Sequence, residues 1–224
     1  KNILNSTGTF TFDGRTRNNL TNEINLCDVA VIFLGGNDLK DQYSQIFNNT
    51  ESPTYLSGIV ANLAFIHDWI RTRKPNLPLV IATCPDVGAT LDVSSTYTDP
   101  VRRLSTRQKI AAMNASIRSM AATKGATVAS VDKLTDLIFD VVPFHLNGTF
   151  LIATSTSTTN ASNYVFCKDG FHPSTSGQAL IANEVMRALT EATGVSLTLF
   201  PNREVLSNIL GMNPDTVYNT WKSG

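Results

Sequence analysis

The stretch Val29–Asp38, VAVIFLGGND, decides the fold: an apolar, β-type run ends abruptly in two glycines, an amide and a carboxylate. A short apolar run without polar alternation is the pattern of a parallel strand buried on both faces. In an open α/β sheet the ligand crevice lies outside the carboxyl ends of such strands, which places Asn37 where chemistry is done. An Asn amide there can donate to a developing oxyanion, while Gly35 and Gly36 let backbone and substrate approach closely. The same four residues also form an ordinary strand-to-loop turn in which Asp38 caps the next segment.

Outward from this stretch, strand and helix signals alternate, the pattern of a parallel sheet covered by helices. Residues 27–34 are the first strand. A helix over 54–73 carries Leu56, Ile59, Val60, Leu63, Ile66 and Ile70 on one face, with His67 beside that stripe as a packing or surface residue. A second strand, Leu77 to Ala82, closes on Thr83-Cys84-Pro85-Asp86-Val87-Gly88, a loop placed to shape a pocket. Asp99-Pro100 caps and opens a long helix to residue 124, ended by Gly125, with Ile110, Met113, Ile117 and Met120 inward. On that helix Arg102, Arg103 and Arg107 form a solvated face, a substrate-anion site being the alternative. Ala126 to Val131 is a third strand and Leu134 to Val142 a short apolar helix or lid. Residues 143–163 form an insertion holding His145, an Asn147-Gly148 hairpin turn and a Ser/Thr-rich run from Thr154 to Thr159. Thr175-x-x-Gln178 fits a capping box for a helix with Ile181, Ala182, Val185, Met186 and Leu189 inward, and residues 202–221 are a further short helix and apolar tail.

Between the insertion and the last long helix stands Asp169-Gly170-Phe171-His172-Pro173. A histidine acting as general base for a hydroxyl needs one ring nitrogen free, the other held by an acceptor, and a fixed ring plane. A carboxylate three residues earlier in a short turn meets the second need, and Pro173 with the helix behind it meets the third. In isolation the same residues are a turn whose Asp caps local amides.

GGND after a strand and DxxHP before a final helix, in this order, resemble the SGNH/GDSL hydrolase family over almost the whole chain. The resemblance implies an α/β fold, the flavodoxin-like three-layer α/β/α sandwich with a mainly parallel sheet, and acyl-ester hydrolysis through a Ser-His-Asp triad. It makes Asn37 the oxyanion amide, Gly35 the block glycine, Asp169 the orienting acid and His172 the base. Asp13-Gly14-Arg15-Thr16 resembles the block whose glycine donates a backbone amide to the oxyanion hole, giving Gly14, with Gly8 of Ser6-Thr7-Gly8 as competitor. The departure is the nucleophile block: no Gly-Asp-Ser stands anywhere in the 224 residues. Nor is there a GxSxG elbow, and the one SxxK, Ser130 to Lys133, sits at a strand-to-helix junction with its Lys solvated. The expectation is therefore a single domain, residues 1–224, incomplete at its N-terminal strand, whose serine comes from a separate chain or segment. A catalytically inactive binding module of the same fold is the alternative. A phosphate-binding flavodoxin-like domain is disfavoured, since no P-loop or GxGxxG pattern occurs. The implied substrate is a small acyl ester, a lipid or an O-acylated carbohydrate, and no cofactor is called for.

Composition bounds the rest. At 42% hydrophobic content, 224 residues bury one sizeable core. Formal charge is zero and no basic run occurs, so nothing points to nucleic acid or an anionic membrane, and no apolar run approaches the roughly 20 residues of a membrane span. Cys27, Cys84 and Cys167, with three scattered histidines, lack metal-ligand spacing. They are read as free thiols, a disulfide through Cys167 being the alternative. Sequons begin at Asn5, Asn19, Asn48, Asn114, Asn147 and Asn160, and with the low-charge surface they lean toward a secreted or extracellular protein.

Overall fold

The computed structural model describes residues 14–139, 145–146, 149–150 and 164–199. Gly8, the Thr154–Thr159 run and the 202–221 tail lie outside the described residues. The first element is helix α1, Gly14–Leu26. Strands β1 (Ala30–Ile32), β2 (Leu79–Ala82) and β3 (Thr127–Ala129) then form a three-stranded parallel sheet in that spatial order. Val31 pairs with Val80, and Ile81 with Val128.

Side chains alternate across a strand, and β2, buried along its whole length, feeds two cores. Leu79 and Ile81, with Ile32, join a large cluster built on helices α4 (Tyr55–Arg73) and α6 (Pro100–Lys124). Val80 and Ala82, with Ala129 and Val131, face a second cluster completed by Ile181, Val185 and Ala188 of helix α8 (Thr175–Thr193). The chain is thus an α/β fold with helices flanking the sheet. Inward residues of α4 and α6 follow the helical stripe expected of them: Ile59, Leu63 and Ile70 on one, Ile110, Met113 and Ile117 on the other, are buried. His67 packs into α4's buried face with Nδ1 2.9 Å from Asp68 Oδ1.

The strand carrying VAVIFL is shorter and less covered than its sequence suggests. Only Ala30–Ile32 is in the ladder, and Val31, Phe33 and Leu34 are 41–54% exposed. The reason is position: among the described residues β1 is an edge strand, paired on one side only. Such an edge presents unpaired backbone groups and uncovered apolar side chains.

Helix ends obey their local chemistry. Asp99 accepts from the amides of Val101 and Arg102 at 2.9 and 3.0 Å, and Gly125, at φ 68°, ends α6 in the left-handed region. The cap of α8 is Ser174, one residue before the expected Thr175. Ser174 has extended backbone and its Oγ accepts from Gly177 N, while Gln178 donates to Pro173 O rather than closing a capping box. The lid-like helix α7 spans Asp132–Phe139, starting two residues earlier than its apolar run, and residues 140–142 are not among those described. His145–Leu146 (β4) and Thr149–Phe150 (β5) pair antiparallel, and the Asn147-Gly148 dipeptide lies outside the described residues.

Two surface expectations change. Asn114, a sequon residue, is buried: its side chain accepts from Cys84 N and donates to Cys84 O, both at 2.9 Å, so a glycan there is incompatible with the fold. Arg103 and Arg107 do not simply face water. Arg103 donates to Gly88 O, Arg107 pairs with Asp136, and both lie over the Phe139 ring.

Candidate active site

Gly35 stands between the end of β1 and helix α2 (Gly36–Asp41) at φ 111°, a conformation that side chains rarely adopt. A Cβ there would lie 2.5 Å from Cys84 Sγ and 3.3 Å from Ile59 Cγ2. Glycine is required on both counts, and the Cys84 thiol donates to Leu34 O at 3.3 Å. Burial pushes that thiol up to about 12, with Asp38 and Asp132 adding to the shift, so Cys84 is a packing residue and no nucleophile. The Asn114 side chain holds the Cys84 backbone, and Tyr55 Oη donates to Asp38 O at 2.6 Å. The turn is therefore locked by α4, α6 and the end of β2. Asn37 comes next as the second residue of α2, exposed, and no hydrogen bond to another described side chain holds its amide.

The second half of the site is the Asp169–His172 turn. Asp169 Oδ1 accepts from Phe171 N and His172 N at 2.9 and 3.0 Å, and Oδ2 lies 2.5 Å from His172 Nδ1. The hydrogen bond from His172 and these two amides hold the Asp169 carboxyl down to about 2, so it is ionised at neutral pH. The carboxylate thus sets the Nδ1–H tautomer, leaving Nε2 as the basic nitrogen. Gly170, at φ 69°, makes the turn; Cys167 N donates to His172 O at 2.8 Å, and Ser174 N to Val165 O at 2.7 Å. Helix α8 packs close behind it, since a Cβ on Gly177 would lie 2.9 Å from Pro173 Cβ and from Val165 O. Asp169 and His172 are nonetheless open to solvent, with side chains 50% and 69% exposed.

These halves meet at one pocket. Gly35, Gly36, Asn37, Asp38 and His172 share a cavity of about 550 Å³ whose other walls are chiefly apolar, including Phe33, Leu34, Val131, Leu134, Ile138, Phe166 and Ile181. Such a cavity is of ordinary size for a small-molecule site. Asp169 stands behind His172, and Gly14 is the first residue of α1. The described lining contains no serine. Its hydroxyls are committed: Thr90 donates to Val87 O at 2.6 Å, and Thr135 donates to Asp132 O at 2.7 Å while accepting from Asp86 N. Lys133 of the SxxK is exposed. Cys27, Cys84 and Cys167 are all free thiols. Among the described residues no cluster of His, Cys, Asp or Glu could hold a metal ion, and no helix is long and apolar enough to cross a membrane.

One lining residue has no motif to mark it in the sequence. Asp86, only 5% exposed at the carboxyl end of β2, accepts from Gly88 N at 2.8 Å through Oδ1, and its Oδ2 has no described partner. Burial raises its carboxyl to about 6 against the pull of the Gly88 amide, Arg107 and Arg103. The position at a strand's carboxyl end was the available signal. Its burial is a tertiary property.

An amide at a strand end, an Asp-His pair and a largely apolar pocket thus come together in an α/β fold. The chain belongs to the GDSL-like lipase/acylhydrolase family, whose pattern matches residues 5–180. That is a family of acylhydrolases, esterases and lipases among them. No curated protein and no solved structure matches the chain.

Proposed function

We propose that this protein hydrolyses an acyl ester through a Ser-His-Asp triad in which His172 is the base, Asp169 its orienting acid, and Asn37 with the Gly14 amide the oxyanion donors. The observation that carries the reading is the 2.5 Å Asp169–His172 contact at the rim of a pocket that Asn37 also lines. His172 Nε2 takes the serine proton as Oγ bonds to the carbonyl carbon, and Asp169 stabilises the imidazolium. The tetrahedral oxyanion accepts hydrogen bonds from the Asn37 amide and the Gly14 N–H. The imidazolium then protonates the leaving alcohol, and water, deprotonated by the same nitrogen, frees the acid and regenerates the serine. Gly35 and Gly36 allow the substrate to approach the backbone, and the apolar walls suit the acyl part of a small ester, a lipid or an O-acylated carbohydrate.

The nucleophile, in this reading, is a Gly-Asp-Ser serine outside these 224 residues. Its absence from the described pocket lining supports this, as does β1, unpaired on one side among the described residues with Val31 exposed. That strand would complete the flavodoxin-like three-layer sandwich on the side where β1 is unpaired.

The test is fluorophosphonate labelling of the complete native protein, with the labelled peptide mapped, alongside ester turnover by His172→Ala. The expected result is a label on a serine outside residues 1–224, lost in a folded His172→Ala that turns over at least about 10³-fold more slowly. A label on Ser6 would overturn the external serine and keep the triad. Full activity of His172→Ala would overturn the triad, and a native protein that never labels would make the fold a binding module.

A further inference from the structure

Helix α2 carries a second side chain directed at the catalytic turn. Lys40 lies three residues after Asn37, a spacing that puts both on one side of a helix. Its Nζ sits 3.7 Å from the centroid of the Phe171 ring and 3.2 Å from Asp92 Oδ2. Phe171 in turn meets the His172 ring edge-on, with centroids 5.2 Å apart and planes at 86°. Asp92 is tied to the same turn through its backbone, its N–H donating to Gly170 O at 3.1 Å. Lys40 thus joins three segments: the helix of the oxyanion amide, the short helix α5 (Leu91–Ser94), and the turn of the acid and base.

We propose that Lys40 is a positioning residue that sets the placement of His172 relative to Asn37 by clamping Phe171 and Asp92. The proposal rests on the Ser-His-Asp reading above. Lys40 does not line the pocket, so it acts through Phe171 and not on substrate. An exposed ion pair or cation–π contact contributes little to global stability. Here the group to be placed is open to solvent: His172 is 69% exposed, and besides its hydrogen bonds to Asp169 the turn reaches the core through Phe171, the ring that Lys40 holds. A modest restoring force decides the ring position under those conditions, and catalysis falls steeply with misplacement of an ångström or less. The clamp requires a cation, because a neutral stem can cover the Phe171 ring and still cannot pair with Asp92.

The experiment measures kcat and KM of Lys40→Met and Lys40→Arg in the complete native protein, with His172→Ala as reference and urea unfolding as control. Lys40→Met, which keeps the apolar stem, is expected to lower kcat about 5- to 10-fold with KM changed less than about 2-fold and an unmoved unfolding midpoint. Lys40→Arg retains the cation over the ring and is expected to restore most of kcat. Unchanged kcat in Lys40→Met overturns the clamp, and so does a rise in KM alone, which would make Lys40 a substrate contact. An unmoved kcat in Lys40→Met beside an inactive His172→Ala condemns the clamp only. An active His172→Ala condemns the triad itself.

Discussion

The two halves of the candidate site are built by different physics. The Gly35–Asn37 turn is part of the core: a left-handed glycine pressed on Cys84, whose backbone is gripped by buried Asn114. The Asp169–His172 turn lies at the surface, held by Asp169's three hydrogen bonds, by Asp92 N on Gly170 O, by Phe171 against the core and by α8 at Gly177 and Pro173. An oxyanion donor gains from rigidity, since preorganised dipoles need no rearrangement in the transition state. A base that must receive and pass on a proton needs its tautomer fixed and its far nitrogen accessible, which local hydrogen bonds on an open turn provide. Substitution of Gly35 should therefore act on stability, and substitution of Asp169 on rate.

The largest separation of the two is expected from Asp169→Asn. The amide oxygen can still accept from Phe171 N and His172 N, so the turn keeps its shape. The amide NH₂ now faces His172 Nδ1, which must become the acceptor, and the ring proton moves to Nε2, where it blocks the base. Turnover in the native protein is expected to drop by about 10³- to 10⁴-fold with the unfolding midpoint unchanged. Loss of folding in Asp169→Asn would break the comparison, because it would make the turn a structural element.

Gly35→Ala should show the reverse pattern. The methyl meets Cys84 Sγ at 2.5 Å in a backbone conformation that disfavours any side chain. Strain and overpacking together are expected to cost about 3 kcal/mol, read as a lower urea midpoint. Adding Cys84→Ala relieves the contact and leaves the φ penalty, so the double variant should recover only part of the loss. A Gly35→Ala protein as stable as the native one would show that this turn is not built into the core.

Legibility in the sequence divides in the same way between local and tertiary causes. The ends of α6 were readable because Asp99, Pro100 and Gly125 act within one turn of themselves. Asn37, Asp169 and His172 stood out in the sequence because a strand end and a turn mark them locally, and the fold brings Asn37 and the Asp169–His172 pair to one pocket. The cap of α8 lies one residue from its sequence signal: Thr175 and Gln178 have capping-box spacing, but Ser174 is fixed by donating to Tyr164 O, ten residues away. The exposure of Val31, Phe33 and Leu34 was unreadable, because an apolar run does not say whether a neighbouring strand is present. Asn114 matched a sequon pattern and is a buried clamp on Cys84, a role set by contact thirty positions away. Lys40 and Asp86 gained meaning only from what the fold brings against them.

Asp86 gives the smallest expected effect and the finest test of the contrast, because it is a titrating group on the core-built side of the pocket. Its folded carboxyl titrates near 6, raised by burial, against 3.8 for the free side chain. Between those values the folded protein holds a proton that the unfolded chain has released, so stability falls as pH rises from about 4 to 6 and stays level above. The groups that face it set this balance: the Gly88 amide, Arg103 and Arg107 of α6 oppose the burial, and Asp136 of α7 adds to it. Asp86→Asn keeps an acceptor for Gly88 N and removes the charge, leaving a buried amide NH₂ to offset part of the gain. Relative to the native protein the variant is expected to gain about 2 kcal/mol between pH 4 and pH 8, the cost of the buried amide being the same at both, measured by urea unfolding at each pH. A gain of equal size at both pH values would mean that Asp86 is not the titrating group, and that the core-built half of the site carries no ionisation of its own.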